Sequence, residues 1–416
     1  HLPFVGPVAR WHAAAAVVVT GAALVMAPSM LTRVHRLMAA ETPRLVYAPS
    51  SENEALLARC EAIRVPSALV SLQWTMKLAA ANEKEPEPAV AYERQLLEMP
   101  DGGAVSLDWA LPLRKDGSAT PLADIDRNRR TALVLPGLTG GSSEHYIRSA
   151  VHCLREKGWQ VVVLNARGCG GTPLKTPQFF CIAYTDDVRF VVRHLAATYN
   201  FHSEAFVGVG FSLGSNVLVK YLGEEQAGTP LTAAVSVGNP FDVVRCSANI
   251  DATLFNRLTY GRALNTSLLE LVFKKGYPGI DLDALRRAKS LYDFDDRFTR
   301  VLFKYASVHE FYTDASCVTR LPHVAVPLLC INAADDPISI TIPRDEQVLA
   351  NPNVILCVTR AGGHLGFFES SSSTSASSHP LSEKRGTLRT WSSRVIAEFA
   401  ESVRLQRAHQ FQQSPP

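Results

Sequence analysis

The stretch Ala205-Phe-Val-Gly-Val-Gly-Phe-Ser-Leu-Gly-Ser-Asn-Val-Leu-Val-Lys-Tyr-Leu222 decides the fold. Its first half is a short apolar run that reads as a buried strand. In its second half Leu213, Val217, Leu218, Tyr221 and Leu222 fall at helical spacing, so a helix follows at once. Between them lies Gly210-Phe-Ser-Leu-Gly214, a G-x-S-x-G in a strand–turn–helix context. So sharp a turn puts its central residue in strained backbone space, where side chains two positions to either side would collide. The Ser212 hydroxyl is then held out over the strand ends, beside the Leu213 amide and the start of a helix dipole. The same glycines fit a dinucleotide-binding turn, but that turn wants an acidic residue about 20 positions further on, closing the next strand. Here the next strand, Thr232–Val237, runs into Gly238-Asn-Pro240 without one.

Around this unit the chain alternates strands and helices. Thr131–Leu135, Gln160–Leu164, Ala205–Val209, Thr232–Val237, Pro327–Ile331 and Val354–Val358 read as strands. Helices are expected near 145–157, 186–199 and 213–224. Tyr92–Pro100 and Ala104–Leu111, joined by Asp101-Gly-Gly103, read as a hairpin preceding them. This pattern implies an α/β fold with a mostly parallel sheet covered on both faces and its sites at the strand carboxyl ends. A largely helical insertion over 240–322 interrupts the alternation and is expected to form a cap that shapes substrate access. The serine-rich 370–379 is a low-complexity loop, and Trp391 to Val403 resumes helical periodicity. The catalytic-type domain is therefore placed at 89–405, with a lead-in and linker at 41–88 and a tail at 406–416.

A chain of 416 residues with 47% hydrophobic content can bury one large α/β core, and a net charge of +3 argues against a nucleic-acid binder. The eight cysteines are scattered without a C-x-x-C pair, as buried free thiols would be, and no Cys/His metal spacing occurs. Neither metal nor cofactor is expected. Within 1–40, Ala13–Met30 is uncharged and mostly apolar between Arg10 and Arg33, long enough to span a membrane once. A processed targeting segment and an ordinary buried helix are the alternatives.

A serine hydroxyl becomes a useful nucleophile when a base takes its proton, and the base works best when a carboxylate fixes its tautomer. The strand from Pro327 runs into Asp335 and Asp336, and the strand from Val354 runs into a glycine turn with His364. Serine, acid and histidine thus follow in the chain order that this type of sheet uses. Only one of the two aspartates faces the histidine, and Pro337 restricts Asp336 to extended backbone. Asp242 reads as a helix N-cap instead. Oxyanion donors are expected from the Leu213 amide and from the loop Leu135-Pro-Gly-Leu-Thr-Gly-Gly-Ser-Ser143, with Leu138 the chosen amide and Thr139 the next. His309-Glu-Phe-Tyr-Thr-Asp314 fits an H-x4-D pattern that chance supplies readily. Arg167-Gly-Cys-Gly-Gly171 lacks a P-loop ending and is expected to shape the rim of the site.

Taken together, these segments resemble the membrane-anchored α/β-hydrolase domain-containing family, which includes embryogenesis-associated hydrolases and yeast medium-chain ethyl-ester-forming enzymes. The resemblance rests on Leu107-Asp-Trp109, Pro136-Gly-Leu-Thr-Gly-Gly141, Asn165-Ala-Arg-Gly-Cys-Gly-Gly171, Gly210-Phe-Ser-Leu-Gly214, Asn239-Pro-Phe-Asp242, Phe294-Asp-Asp-Arg-Phe-Thr299, Ala333-Ala-Asp-Asp-Pro337 and Gly362-Gly-His-Leu-Gly-Phe-Phe-Glu369. It implies an α/β-hydrolase fold with an eight-stranded sheet and the cap after the sixth strand. The implied triad is Ser212, Asp336 and His364, cleaving lipid or other carboxylic esters at an intracellular membrane. Acyl transfer to an alcohol and non-catalytic lipid binding are the alternative functions.

Overall fold

The computed structural model describes residues 41–67, 69–70, 90–114, 117–118, 120–273, 277, 279–369 and 390–413. The expected anchor at Ala13–Met30, residues 71–88 of the lead-in and linker, and the serine-rich loop lie outside them. Among the described residues no helix is long and apolar enough to cross a membrane.

The strands in chain order are β1 (Arg44–Tyr47), β2 (Leu69–Val70), β3 (Glu93–Glu98), β4 (Ala104–Ala110), β5 (Thr131–Leu135) and β6 (Gln160–Asn165). They continue with β7 (Phe206–Phe211), β8 (Ala233–Val237), β9 (Leu328–Ala333), β10 (Val354–Thr359) and β11 (Phe368–Glu369). Nine form one sheet in the order β1-β10-β9-β8-β7-β5-β6-β4-β3, while β11 pairs with β2 separately. From β10 through β6 every neighbour is parallel; β4, β3 and β1 run antiparallel at the two edges. The eight strands counted from Glu93 are the expected ones. The ninth, β1, corrects the reading of 41–88 as a mere lead-in, because Arg44–Tyr47 pairs with Ile355–Val358 and closes that edge.

The pleat sends alternate residues of each central strand into two separate cores. Ala132 and Val134 of β5, with Val161 and Val163 of β6, pack with Ile147 and Trp391 on one face. Leu133, Leu135, Val162 and Leu164 pack with Val188, Leu195, Val217 and Leu222 on the other. Continuous apolar strands thus follow from burial on both faces. Helices His145–Glu156 and Trp391–Gln413 cover the first face; Asp186–Thr198 and Leu213–Glu225 cover the second. The last helix runs to Gln413, past the expected domain end at 405. All eight cysteines are buried.

After β8 the chain leaves the sheet and forms the cap. Asp242 accepts from the Arg245 amide and starts the helix Val243–Ala252, the N-cap role expected of it. Short helices and two π-helical segments, Arg257–Gly261 and Asp295–Thr299, follow until Cys317–His323 leads back into β9. The cap has its own apolar core, in which Leu268, Leu271, Phe294 and Phe298 pack with Phe179.

Candidate active site

The turn after β7 is forced by space. A Cβ on Gly210 would lie 2.5 Å from the Ser215 Cα, and one on Gly214 would lie 2.4 Å from the carbonyl oxygens of Leu135 and Pro136. No side chain fits either position, so the helix Leu213–Glu225 can start directly against the end of β5. Between the glycines Ser212 sits at φ 51° and ψ −118°, a conformation costing about 1–3 kcal/mol for a residue with a Cβ. The surrounding ladder holds it there, with the Ser212 amide donating to the Val237 carbonyl.

Two further strand ends bring their groups to this hydroxyl. The Ser212 Oγ lies 2.6 Å from His364 Nε2, and His364 Nδ1 lies 2.8 Å from Asp336 Oδ2. Because the carboxylate only accepts, Nδ1 carries the proton and Nε2 is free to accept from the serine. The second oxygen of Asp336 accepts the amides of Ile338 and Ser339, both at 2.8 Å. Asp336 and His364 are both buried. Asp335 is exposed and turned elsewhere, its Oδ1 accepting the Gly363 amide at 2.9 Å. The pleat thus separates the two aspartates: Asp336 meets the imidazole, and Asp335 ties down the loop that carries it. The loop also passes close to Gly238, where a Cβ would lie 2.5 Å from the His364 carbonyl oxygen.

Leu138, Ser212, Leu213 and His364 line one cleft between sheet and cap. Thr139 lies outside that lining and has φ 56°. The loop carrying Leu138 is fixed from below. Tyr146 Oη accepts the Gly137 amide at 3.1 Å, and Ser142 donates its hydroxyl to Asp108 and its amide to Asn165. Arg94 grips the same Asp108 through two nitrogens at 2.6 and 2.7 Å. Burial pushes the Asp108 carboxyl up, yet the bonds from Arg94, Ser142 and Asn165 outweigh it and leave it below its ordinary value. Sequence reasoning missed this bracing, because Asp108 lies on β4 and Ser142 in the loop after β5, and their meeting has no local signature.

The cleft encloses about 800 Å³, part of it open to solvent. Its walls are mainly apolar, with Phe179, Ile250, Leu264, Leu268, Phe294 and Phe311 prominent. One acid stands among them. Asp295 accepts from Thr299 Oγ1 at 2.6 Å and Tyr312 Oη at 2.7 Å. Burial pushes its carboxyl up to about 6, although both hydrogen bonds pull the other way.

The remaining motifs serve structure. Arg167 is buried between Asp187, bound through two nitrogens, and Asp101, so it clamps the turn after β6 to the hairpin. Asp314 of the H-x4-D pattern pairs with Lys220 and accepts from Tyr305. Among the described residues no group of His, Cys, Asp and Glu is arranged to hold a metal ion.

A family model described as "Alpha/beta hydrolase family" matches residues 132–374. The chain is 38% identical over 288 residues to the embryogenesis-associated protein EMB8 of Picea glauca, covering 67% of this chain and 62% of that one. It is 39% identical to human phospholipase ABHD3, over 68% of each chain. A monoacylglycerol lipase of Saccharomyces cerevisiae is 30% identical, over 70% of this chain and 73% of the yeast protein. The match therefore spans less than two thirds of the spruce relative's length.

Proposed function

We propose that this chain, which belongs to the alpha/beta hydrolase family, is a serine hydrolase of carboxylic esters, and that its substrates are lipid esters. The observation carrying the proposal is the unbroken relay Ser212–His364–Asp336 at the base of an apolar cleft. In this reading Ser212 Oγ attacks the acyl carbonyl as His364 Nε2 takes its proton. The amides of Leu138 and Leu213 hold the oxyanion, each worth roughly 10²–10³ in rate. The ester C–O bond then breaks, and His364 returns the proton to the leaving alcohol. Water attacks the acyl-serine through the same imidazole, while Asp336 stays ionised and steadies the imidazolium.

The apolar walls favour a hydrocarbon acyl chain over a polar one. Relatives named as a phospholipase and a monoacylglycerol lipase support lipid esters as the class. The single-pass anchor at Ala13–Met30 belongs to the same proposal. Labelling of the full chain by a fluorophosphonate probe tests the nucleophile. Labelling that disappears in Ser212→Ala is expected, together with hydrolysis of p-nitrophenyl esters of graded chain length. Folded protein that neither labels nor hydrolyses any ester would overturn the reading.

A further inference from the structure

The cap carries an exposed apolar corner that the cleft does not use. Leu254, Phe255 and Leu258 are 62%, 61% and 57% exposed, a concentration not repeated elsewhere among the described residues. They stand on the short helix Leu254–Asn256 and the π-helical segment after it. The sequence from Asp251 to Leu269 holds two arginines, Arg257 and Arg262, against one acid, Asp251, whose carboxyl burial pushes up while Arg257 pulls it down. Both arginines are exposed, as is Arg245 one helix earlier.

The corner joins two helices whose inner faces form the cleft wall. Cys246 and Ile250 come from the helix before it; Leu264 and Leu268 come from the helix after it. Water-facing leucine and phenylalanine gain by entering an apolar phase, and flanking arginines favour an anionic surface over a neutral one. A peptide groove would bury its apolar lining, whereas these three side chains are more than half exposed.

We propose that this corner docks the cap on an anionic lipid surface, so that acyl chains pass from the bilayer directly between the two cleft-lining helices. The assignment rests on the reading of the cleft as a lipid-ester site, but its test does not depend on hydrolysis. Because every native cysteine is buried, an environment-sensitive fluorophore can be placed on the full chain at Phe255→Cys alone. A second chain is labelled at Leu113→Cys, exposed on the loop after β4.

Vesicles of phosphatidylcholine with 30% phosphatidylserine, roughly the anionic surface on which such arginines act, are expected to shift the Phe255→Cys emission to the blue and leave the Leu113→Cys emission unchanged. Arg257→Glu with Arg262→Glu is expected to weaken that response by roughly 25-fold or more, at about fivefold per arginine removed. Leu254→Ser with Leu258→Ser is expected to weaken it at least tenfold while hydrolysis of a short soluble ester is unchanged. Vesicle binding of the chain with the residue-255 label still in water would overturn the proposal, as would equal response to neutral and anionic vesicles. A blue shift in an enzymatically dead chain would support the corner and leave the ester reading to fail on its own.

Discussion

The loops at the ends of β7, β9 and β10 and the cap over 240–322 meet in one cleft, yet they are built to different tolerances. In the loops, space is used up and the relay's own groups are all engaged. Gly210, Gly214 and Gly238 leave no room for a methyl group, and both oxygens of Asp336 are engaged. The cap is looser. Asp251, Asn265 and Tyr277 each have a buried polar atom without a hydrogen-bond partner among the described residues, and two segments are π-helical. Proton transfer needs heavy atoms within about 3 Å, whereas holding a hydrocarbon chain needs only suitable volume. On the proposed reading, the loops would set the chemistry and the cap the choice of acyl chain.

Breaking the loops is expected to have the largest effect. Ser212→Ala should lower kcat by roughly 10⁶-fold with the melting temperature retained, which steady-state kinetics and calorimetry check together. Retained turnover would move the nucleophile elsewhere. Asp336→Asn should lower kcat by about 10⁴-fold, because the amide no longer selects the right imidazole tautomer. Asp335→Asn keeps an oxygen for the Gly363 amide, so kcat should change by less than about tenfold. Equal losses in the two variants would erase the distinction between the aspartates.

Changes in the cap should act on stability and selection. Asp295 has its folded value near 6 against an ordinary 3.8, so the folded chain holds this proton more tightly than the unfolded chain does. Its contribution is therefore favourable below about pH 4 and lost as pH rises through 6, about 3 kcal/mol in all. Asp295→Asn removes that dependence. The variant's unfolding free energy relative to the parent should rise by about 2 kcal/mol between pH 4 and pH 7, read from denaturant titrations. A pH-independent difference would place the carboxylate in a more solvated setting than its burial implies.

A more modest effect, on selection alone, is expected from Leu268→Ala, which enlarges the apolar wall without touching the relay. The ratio of kcat/KM for longer over shorter acyl esters should rise roughly tenfold, the scale on which one or two methylenes are discriminated. A uniform loss on all chain lengths would mean that this wall supports the fold and does not select the substrate.

Much of the fold was legible because burial writes it into short windows. β5, β6, β7 and β8 are mostly apolar runs, and the helices between them carry apolar residues at helical spacing. β1 escaped this reading. Four residues are too few for a period to register, and their partners Ile355–Val358 lie some three hundred positions away. Arg167 misled in another way. The glycines after it suggested a turn at the rim, while its charge is buried between Asp101 and Asp187, contributed by the hairpin and by a helix.

By itself the sequence determined the strand–turn–helix that presents Ser212, because glycines two positions either side of a serine between a strand and a helix answer a local steric requirement. It also limited the acid to two neighbours and the base to one histidine. Only the tertiary structure decided that Asp336 turns toward His364 while Asp335 holds Gly363. It alone placed Asp295 in the cleft and Leu254, Phe255 and Leu258 in solvent. The physical reason is that a turn's sterics act within five residues, whereas facing and burial depend on what the rest of the chain packs alongside.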